Sequence, residues 1–204
     1  QQNALPASES VSGDAFMMSM LFDSSVYGEL ALDESFFEEV SKHINVAFAI
    51  LGSEIVEGEL QNTPVDKKIK EGEFKGTSLR EFLTTAYKLI VRRSETLLKT
   101  DLVEVVAAKY YVVYAKEAAK KGMAKKETKL LNDFRIVASA SLKGADFLVT
   151  ADVASMLSTE AVKAYRAVNG VFQLKTPVLL AYRDFKRRFS EIVLEGDATG
   201  ESDD

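Results

Sequence analysis

The feature that most constrains this chain is a set of short apolar runs in which polar residues do not alternate. The strongest runs span 17–22, 45–51 and 147–150, and a weaker one spans 171–174. A strand with one face in water alternates apolar and polar residues, whereas a strand covered on both faces has an unbroken apolar run. The runs therefore predict an α/β fold with a central, mostly parallel sheet flanked by helices.

Segments with helical periodicity fill the intervals between these runs. Helices are predicted at 79–98, 101–121 and 133–143. Gly122 and Gly144 follow the last two, at the position where glycine favours a helix C-terminus. Thr176 followed by Pro177 is typical of an N-cap and a first helical residue, and so predicts the start of the last helix.

The composition fits one globular domain. The chain has 204 residues, of which 47% are hydrophobic, enough to bury a sizeable core. The segments 1–16 and 195–204 are polar and aperiodic, so we expect disordered tails around a single domain at 17–194. Because no apolar run approaches the roughly 20 residues of a membrane helix and no secretory signal is present, we expect a cytoplasmic protein without membrane contact.

The numbers of cysteines and histidines and the distribution of charge restrict the kinds of catalytic site that this chain can form. The chain has no cysteine and one histidine, His43, which excludes disulfides, thiolate nucleophiles and sites built from several histidines. Its net charge of −5 arises in the tails, because they hold seven of the 31 acids and none of the 26 basic residues. The acidic balance therefore does not argue against a polyanionic substrate.

Acidic residues follow each strong apolar run. They are Asp23 after the first run, Glu54, Glu57 and Glu59 after the second, and Asp152 after the third. Asp133 opens the predicted helix 133–143. Ligands of open parallel sheets gather at the carboxyl ends of the strands. Carboxylates brought together there repel unless a cation holds them, and Mg²⁺ or Mn²⁺ prefers such oxygen ligands.

Structural roles account for several of these acids as well. Asp133 and Asp152 each fit the N-cap of a following helix. Glu54 would lie in a first helical turn, where the helix dipole favours any carboxylate. Glu57 and Glu59 are two positions apart and point to different sides of a helix, so only one can reach a shared site. Composition and spacing leave both the metal site and the structural interpretation open.

The sequence around the acids resembles the PIN-domain family of nucleases. The segments MLFDSSV, IVEGEL, NDFRIVASA and GADFLVTAD occur in this order. They are similar to the family's Asp after the first strand, Glu-Leu on a helix after the second, helix start of the form D-x-x-I-x-A-x-A, and Asp after L-V-T-x. The segment 174–185 resembles the family's last strand and threonine-proline helix start. The resemblance covers about 17–190 and implies a PIN-like three-layer fold.

The resemblance also implies an activity. It assigns the family's catalytic and metal-binding carboxylates to Asp23, Glu59, Asp133 and Asp152. It gives supporting roles to Thr150 and to Ser25, which stands where many members have Asn. The implied reaction is hydrolysis of RNA phosphodiester bonds with Mg²⁺ or Mn²⁺, as in VapC-type toxins and RNA-processing nucleases. An antitoxin or another protein is then a possible partner besides RNA.

Basic residues that could contact RNA phosphates are spread along the chain. The densest cluster, Arg183, Lys186 and Arg187, supplies the RNA-binding candidates. Further candidates are Lys67, Lys68, Lys70, Arg92, Arg93, Lys125, Lys126, Arg135 and Arg188. Basic side chains are more often ordinary solvated residues.

Two alternatives accompany the nuclease interpretation. A PIN domain without activity would serve as an RNA- or protein-binding module. The segment 102–115 carries only Glu104 and Lys109 as charges, so either the core or a second copy in a homodimer covers it. A nucleotide-binding Rossmann protein is disfavoured, because no glycine-rich phosphate loop follows an apolar run.

Overall fold

A computed structural model describes residues 17–72, 74–122 and 126–200. This part of the chain forms a five-stranded sheet in which all neighbouring strands are parallel. The strands are β1 (Met18–Phe22), β2 (Phe48–Ser53), β3 (Val91–Leu97), β4 (Phe147–Thr150) and β5 (Val178–Ala181). Helices flank the sheet, which confirms the predicted α/β fold.

The helices connect successive strands or extend from the last one. They are α1 (Ser24–Leu30), α2 (Glu34–His43), α3 (Glu54–Gln61), α4 (Leu79–Ile90), α5 (Asp101–Ala119), α6 (Glu127–Lys143), α7 (Thr159–Phe172) and α8 (Tyr182–Gly200). Helix α8 continues into the segment predicted as an acidic tail. The predicted tail at 1–16 and residues 201–204 lie outside the described residues.

Strand β1 lies at the centre of the sheet, whose order is β3-β2-β1-β4-β5. Leu21 pairs with Leu51 of β2 on one side and with Leu148 of β4 on the other. Every residue of β2 is buried, as its unbroken apolar run predicts. Buried side chains from Met20 to Val193 form one hydrophobic cluster.

The predicted helix at 79–98 is wrong in its second half. Helix α4 ends at Ile90, and the chain continues as β3. Val91 pairs with Ile50, and Leu97 pairs with Ser53. Pairing with the edge of β2 fixes the backbone of β3, and local periodicity does not report such a non-local contact.

The predicted elements at 171–174 and 176–177 are also wrong. Val171 and Phe172 end helix α7 instead of forming a strand. Pro177 precedes strand β5 instead of starting a helix, at a position where its missing N–H is tolerated. The Thr176 hydroxyl accepts a 2.8 Å hydrogen bond from Asn169 Nδ2.

Helix α5 is covered on one side only. Val106 and Tyr110 are buried in the core, whereas Leu102, Val105 and Val112 are exposed. The core therefore covers one side of the helix, and a second copy could still cover the other side, so both alternatives stay open. Among the helices in the described ranges, none combines the length and apolarity needed to cross a membrane.

Gly144 ends helix α6 in a conformation that disfavours side chains, with φ at +77°. We expect Gly144→Ala to lower the free energy of unfolding by about 1 kcal/mol, because alanine is strained at positive φ. Gly170, inside α7, has open space around its Cα, so Gly170→Ala should raise stability by about 0.5 kcal/mol. Urea denaturation measures both changes, and equal effects would contradict this account.

Candidate active site at the carboxyl edge of the sheet

The carboxyl ends of β1 and β4 meet where the strand order reverses direction. Strands β1, β2 and β3 are added toward one edge, and β4 then pairs with the other side of β1. Ligand sites of open α/β sheets lie at such switch points. Asp23 directly follows β1, and Asp152 follows β4 by two residues.

Asp23 is held at this point by both backbone and side chain. Its N–H donates to the carbonyl oxygen of Val149 at 2.9 Å. Its carboxylate oxygen Oδ2 accepts hydrogen bonds from Thr150 Oγ1 at 2.9 Å and from Ser25 Oγ at 2.5 Å. Only 4% of Asp23 is exposed, so these contacts fix the position of the carboxylate.

The hydroxyls of Thr150 and Ser25 also fix the backbone that leads to Asp152. Thr150 Oγ1 accepts from the N–H of Asp152 at 3.0 Å, and Ser25 Oγ accepts from the N–H of Ala151 at 2.9 Å. Each hydroxyl therefore joins Asp23 to the chain segment after β4. Ser25, with a shorter side chain than Asn, makes a direct contact with the carboxylate.

Asp152 does not cap helix α7. The N-cap of α7 is Ser158, whose hydroxyl accepts from the N–H of Ala161. Asp152 Oδ1 instead accepts from the N–H of Ser155 at 3.0 Å. The N-cap interpretation of Asp152 is therefore wrong, and its side chain stabilises a turn between β4 and α7.

Glu59 joins two other elements to the edge. Its Oε2 atom accepts from Ser24 Oγ at 2.6 Å, and its Oε1 atom accepts from Asn132 Nδ2 at 2.8 Å. Ser24 is the neighbour of Asp23, and Asn132 is the neighbour of Asp133. Glu57 instead accepts from Gln61 within α3 at 3.1 Å, so the choice of Glu59 for a shared site agrees with the geometry.

Asp133 lies inside helix α6 and does not open it. The helix begins at Glu127, so the predicted helix start at 133 and the N-cap interpretation of Asp133 are both wrong. The charged segment 126–129 masks the helical periodicity that continues upstream. Burial raises the pKa of Tyr165 well above its usual value, and the charge of Asp133 raises it further.

A network of hydrogen bonds thus contains Asp23, Glu59 and the backbone of Asp152, and it includes Asn132, the sequence neighbour of Asp133. It runs from Asn132 through Glu59 to Ser24, and from Asp23 through Thr150 to Asp152. The acids are not packed into a cage, however. Within the described ranges, no three His, Cys, Asp or Glu side chains stand close enough together to hold a metal ion.

A salt bridge supports the Asn132 side of this network. Arg135 donates to Asn132 Oδ1 at 2.9 Å and to Glu104 Oε2 of α5 at 3.0 Å. The hydrogen bond from Arg135 is the main reason that the pKa of Glu104 lies below its usual value. Arg135, a candidate for RNA binding, therefore positions α6 against α5.

The three residues of the predicted RNA-binding cluster lie in different environments. Arg183 lines a cleft of about 270 Å³ together with Ala151 and Val153, on either side of Asp152. Lys186 pairs with Asp33 and lies 5.3 Å from the centre of the Phe36 ring. Arg187 pairs with Asp184 at 2.7 Å. Arg183 is thus the member of the cluster that faces the edge.

Several of the other basic candidates are outside the described side chains or paired elsewhere. Lys125 lies outside the described residues, and only the backbone is described at Arg92 and Arg93. Arg188 pairs with Glu191 at 3.2 Å.

The sequence did not indicate Ser24 and Asn132, which belong to this network, or Tyr165, which is a buried residue outside it. Ser24 and Asn132 each stand beside a predicted acid, and that adjacency is the signal that could have indicated them. Tyr165 lies on α7 among apolar residues and is fully buried. Its pattern is that of an ordinary core tyrosine, so only the three-dimensional structure identifies it.

Comparisons with known proteins return no relative. No protein-family model matches the chain, and neither the curated proteins nor the solved structures contain a significant match. The function must therefore be argued from the geometry.

The Thr150 hydroxyl provides a direct test of the network. Thr150→Val keeps the shape but removes one of the two hydroxyl donors to the Asp23 carboxylate and leaves the Asp152 N–H without its acceptor. We expect the free energy of unfolding to fall by about 2 kcal/mol, the cost of buried polar groups that lose their partners. The matched control is Thr85→Val on the exposed side of α4, which should change it by less than about 0.5 kcal/mol. Equal losses in urea denaturation would contradict the network.

Proposed function

We propose that this protein is a metal-dependent endoribonuclease of PIN type, which hydrolyses RNA phosphodiester bonds at the carboxyl edge of its sheet. The observation that carries the proposal is the hydrogen-bond network at the β1–β4 switch point that holds Asp23, Glu59 and the backbone of Asp152. An edge of this kind is where α/β folds bind ligands. The resemblance to PIN domains names the same four residues.

The way in which the acids are held favours a cation as their partner. Asp23 and Glu59 accept hydrogen bonds from hydroxyl and amide groups, and Asp152 accepts one from a backbone N–H. Several acids elsewhere are instead paired with basic residues, as in Lys175–Asp146 and Lys121–Glu160. Neutral donors orient a carboxylate without cancelling its charge, so the edge keeps its attraction for a cation.

Our proposal takes Mg²⁺ or Mn²⁺ to bind in an open, hydrated form, since no three acidic side chains in the described ranges form a cage. Mg²⁺ commonly binds through one or two carboxylates and keeps several waters, so it does not need a cage of protein ligands. Asp23, Glu59, Asp133 and Asp152 would hold the ion directly or through water. When bound, the cation supplies an acidified water for attack on the phosphodiester and charge that stabilises the phosphate oxygens.

The remaining residues of the edge orient these groups. Ser25 and Thr150 hold the Asp23 carboxylate in one direction, and Ser24 with Asn132 does the same for Glu59. Arg183, which lines the same cleft as Ala151, Val153 and Glu29, supplies a guanidinium for a phosphate of the RNA strand. In the described residues, no carboxylate forms an ion pair with Arg183, which leaves its donors for substrate.

A binding module is the second candidate function. The observation that favours it is the absence of a three-acid metal group within the described ranges. A module would bind RNA through Arg183 without cleaving it. A protein partner, either an antitoxin or a second copy, is a further proposal, which the exposed apolar side of α5 supports.

Asp23→Asn separates the two functions. The substitution keeps the shape of the side chain but removes its charge, so we expect cleavage with Mg²⁺ or Mn²⁺ to fall about 100-fold or more, the equivalent of several kcal/mol. RNA affinity should persist or rise, because a repulsive charge is lost. Gel assays of cleavage and binding on mixed RNAs measure the two effects.

The matched control is Asp146→Asn. Asp146 precedes β4 at the opposite end of the strand and pairs with Lys175, so its loss should leave cleavage intact at a temperature where the variant is folded. Wild-type protein that binds RNA but cuts none would favour the module. Wild-type protein that neither binds nor cuts RNA would reject both functions.

Arg183→Ala tests the RNA contact. Loss of one phosphate contact should weaken binding similarly for all sequences and reduce the slope of affinity against salt concentration by about 1. Arg187→Ala is the control, because Arg187 is already paired with Asp184 and should contribute less. Equal effects of the two substitutions on the salt dependence would place the RNA elsewhere.

A further inference from the structure

One side of helix α5 carries a continuous exposed stripe. Its members follow one another at intervals of three or four positions, which places them on a single face of the helix. Val105 and Val112 are 48% and 63% exposed, and the exposed Ala108 lies between them. Asp101 and Lys116, also exposed, extend the stripe toward the two helix ends. Apolar side chains aligned in water on one helix face are typical of a surface that binds another protein.

The chemistry of the stripe is complementary about its own midpoint, which falls between Ala108 and Lys109. An acid, Asp101, and a base, Lys116, stand at equal distances on either side of this midpoint, about 22 Å apart along the helix. The valines at 105 and 112 stand at equal distances as well, about 10 Å apart. The stripe therefore matches a copy of itself that runs in the opposite direction.

Antiparallel packing of two copies of α5 makes use of this match. It brings Val105 opposite Val112 of the second copy, and Asp101 opposite Lys116 of the second copy. The two-fold axis repeats each contact, so one register forms two valine contacts and two ion pairs. Ala108 lies beside the axis, where its small side chain allows the helices to approach closely.

Other registers lose this match. A shift of the second copy by one turn in either direction places Val105 opposite a lysine, either Lys109 or Lys116. In the matched register, Lys109 and its copy lie at the rim beside the axis, where their long side chains let the ammonium groups reach water.

The charges at the two ends of the stripe are available for such pairing. Glu117 of the same helix is already paired with Lys120 at 2.5 Å. Within the described ranges, neither Asp101 nor Lys116 forms an ion pair. A second copy supplies both with a partner of opposite charge at the same time.

We propose that α5 is the interface of a homodimer in which two copies of the helix pack antiparallel, with Val105 opposite Val112 and Asp101 opposite Lys116. The inference decides between the two protein partners left open above for this side of α5, and it rests on that part of the proposed function alone. It does not depend on RNA cleavage. One pair of helices is a small interface, so we expect a dissociation constant of about micromolar size.

Exchange of the end charges tests the register. Asp101→Lys and Lys116→Asp each bring like charges together, so each alone should raise the dissociation constant about tenfold or more. An equimolar mixture of the two variants should associate as the wild type does, because the heterodimer restores both ion pairs. Each native charge also suits the dipole of its own helix end, and recovery in the mixture separates pairing from that local effect. Sedimentation velocity of the 22.5 kDa chain measures association.

Val112→Asp tests the apolar contact. It places a charge at the centre of the proposed interface, so it should leave the protein monomeric at concentrations where the wild type is dimeric. The matched control is Val65→Asp, because Val65 is equally exposed, at 63%, but lies outside α5. The control should dimerise as the wild type does.

Introduced cysteines test the direction of packing. The chain has no cysteine, so no native thiol competes. A mixture of Val105→Cys and Val112→Cys proteins should form disulfide-linked dimers under mild oxidation, because these positions face each other. Either variant alone should form few, since each position lies about 10 Å along the helix from its own copy, beyond the reach of a disulfide.

The outcomes separate this inference from the nuclease proposal. A wild type that stays monomeric up to about millimolar concentration, a charge-exchange mixture that does not recover, or single cysteine variants that cross-link as well as their mixture would each overturn the antiparallel dimer. None of these results bears on cleavage. Conversely, Asp23→Asn should dimerise like the wild type even where it cuts no RNA.

Discussion

The parallel pairing of β1 with β4 is the contact on which the candidate site depends. It is closed at its carboxyl end by the backbone hydrogen bond from Asp23 to Val149 and by the Thr150 hydroxyl on the Asp23 carboxylate. These bonds bring together residues that are far apart in the sequence. Without them, Asp152 and Asp23 would have no fixed relation, and the cleft beside Arg183 would lose one wall.

The distribution of partners among the acids gives this edge its electrostatic character. Hydroxyl and amide donors hold Asp23 and Glu59, whereas basic side chains neutralise Glu104, Asp146 and Glu160. Asp23 and Glu59 are therefore oriented by neutral groups, which leave the negative charge of each carboxylate uncompensated. Under the proposed function, a bound cation would supply the compensating charge at the edge.

Much of the fold could be predicted from the sequence, because buried parallel strands leave an unbroken apolar signal. The runs before Asp23 and Asp152 became β1 and β4. Strand β3 was missed, since its identity comes from pairing with β2 and not from its own periodicity. Strand β5 was missed because Thr176 and Pro177 fit a helix start as well as a strand entry.

The candidate site could be predicted only in part. The acids were found because each follows an apolar run or matches a PIN-like segment, and the environment of Asp133 was misread because a charged stretch hides the first turns of α6. Ser24 and Asn132 act through side-chain contacts between elements distant in sequence.

The sequence separation between β1 and β4 also determines when the edge can form. Asp23 and Thr150 are 127 positions apart. Contacts between residues so far apart in the sequence form slowly, because a long loop must close first. During synthesis, β1 and β2 leave the ribosome well before β4, so the side of β1 that receives β4 stays open in the nascent chain. The acidic edge is therefore a property of the completed domain, and partly synthesised chains carry its first two acids without the pocket.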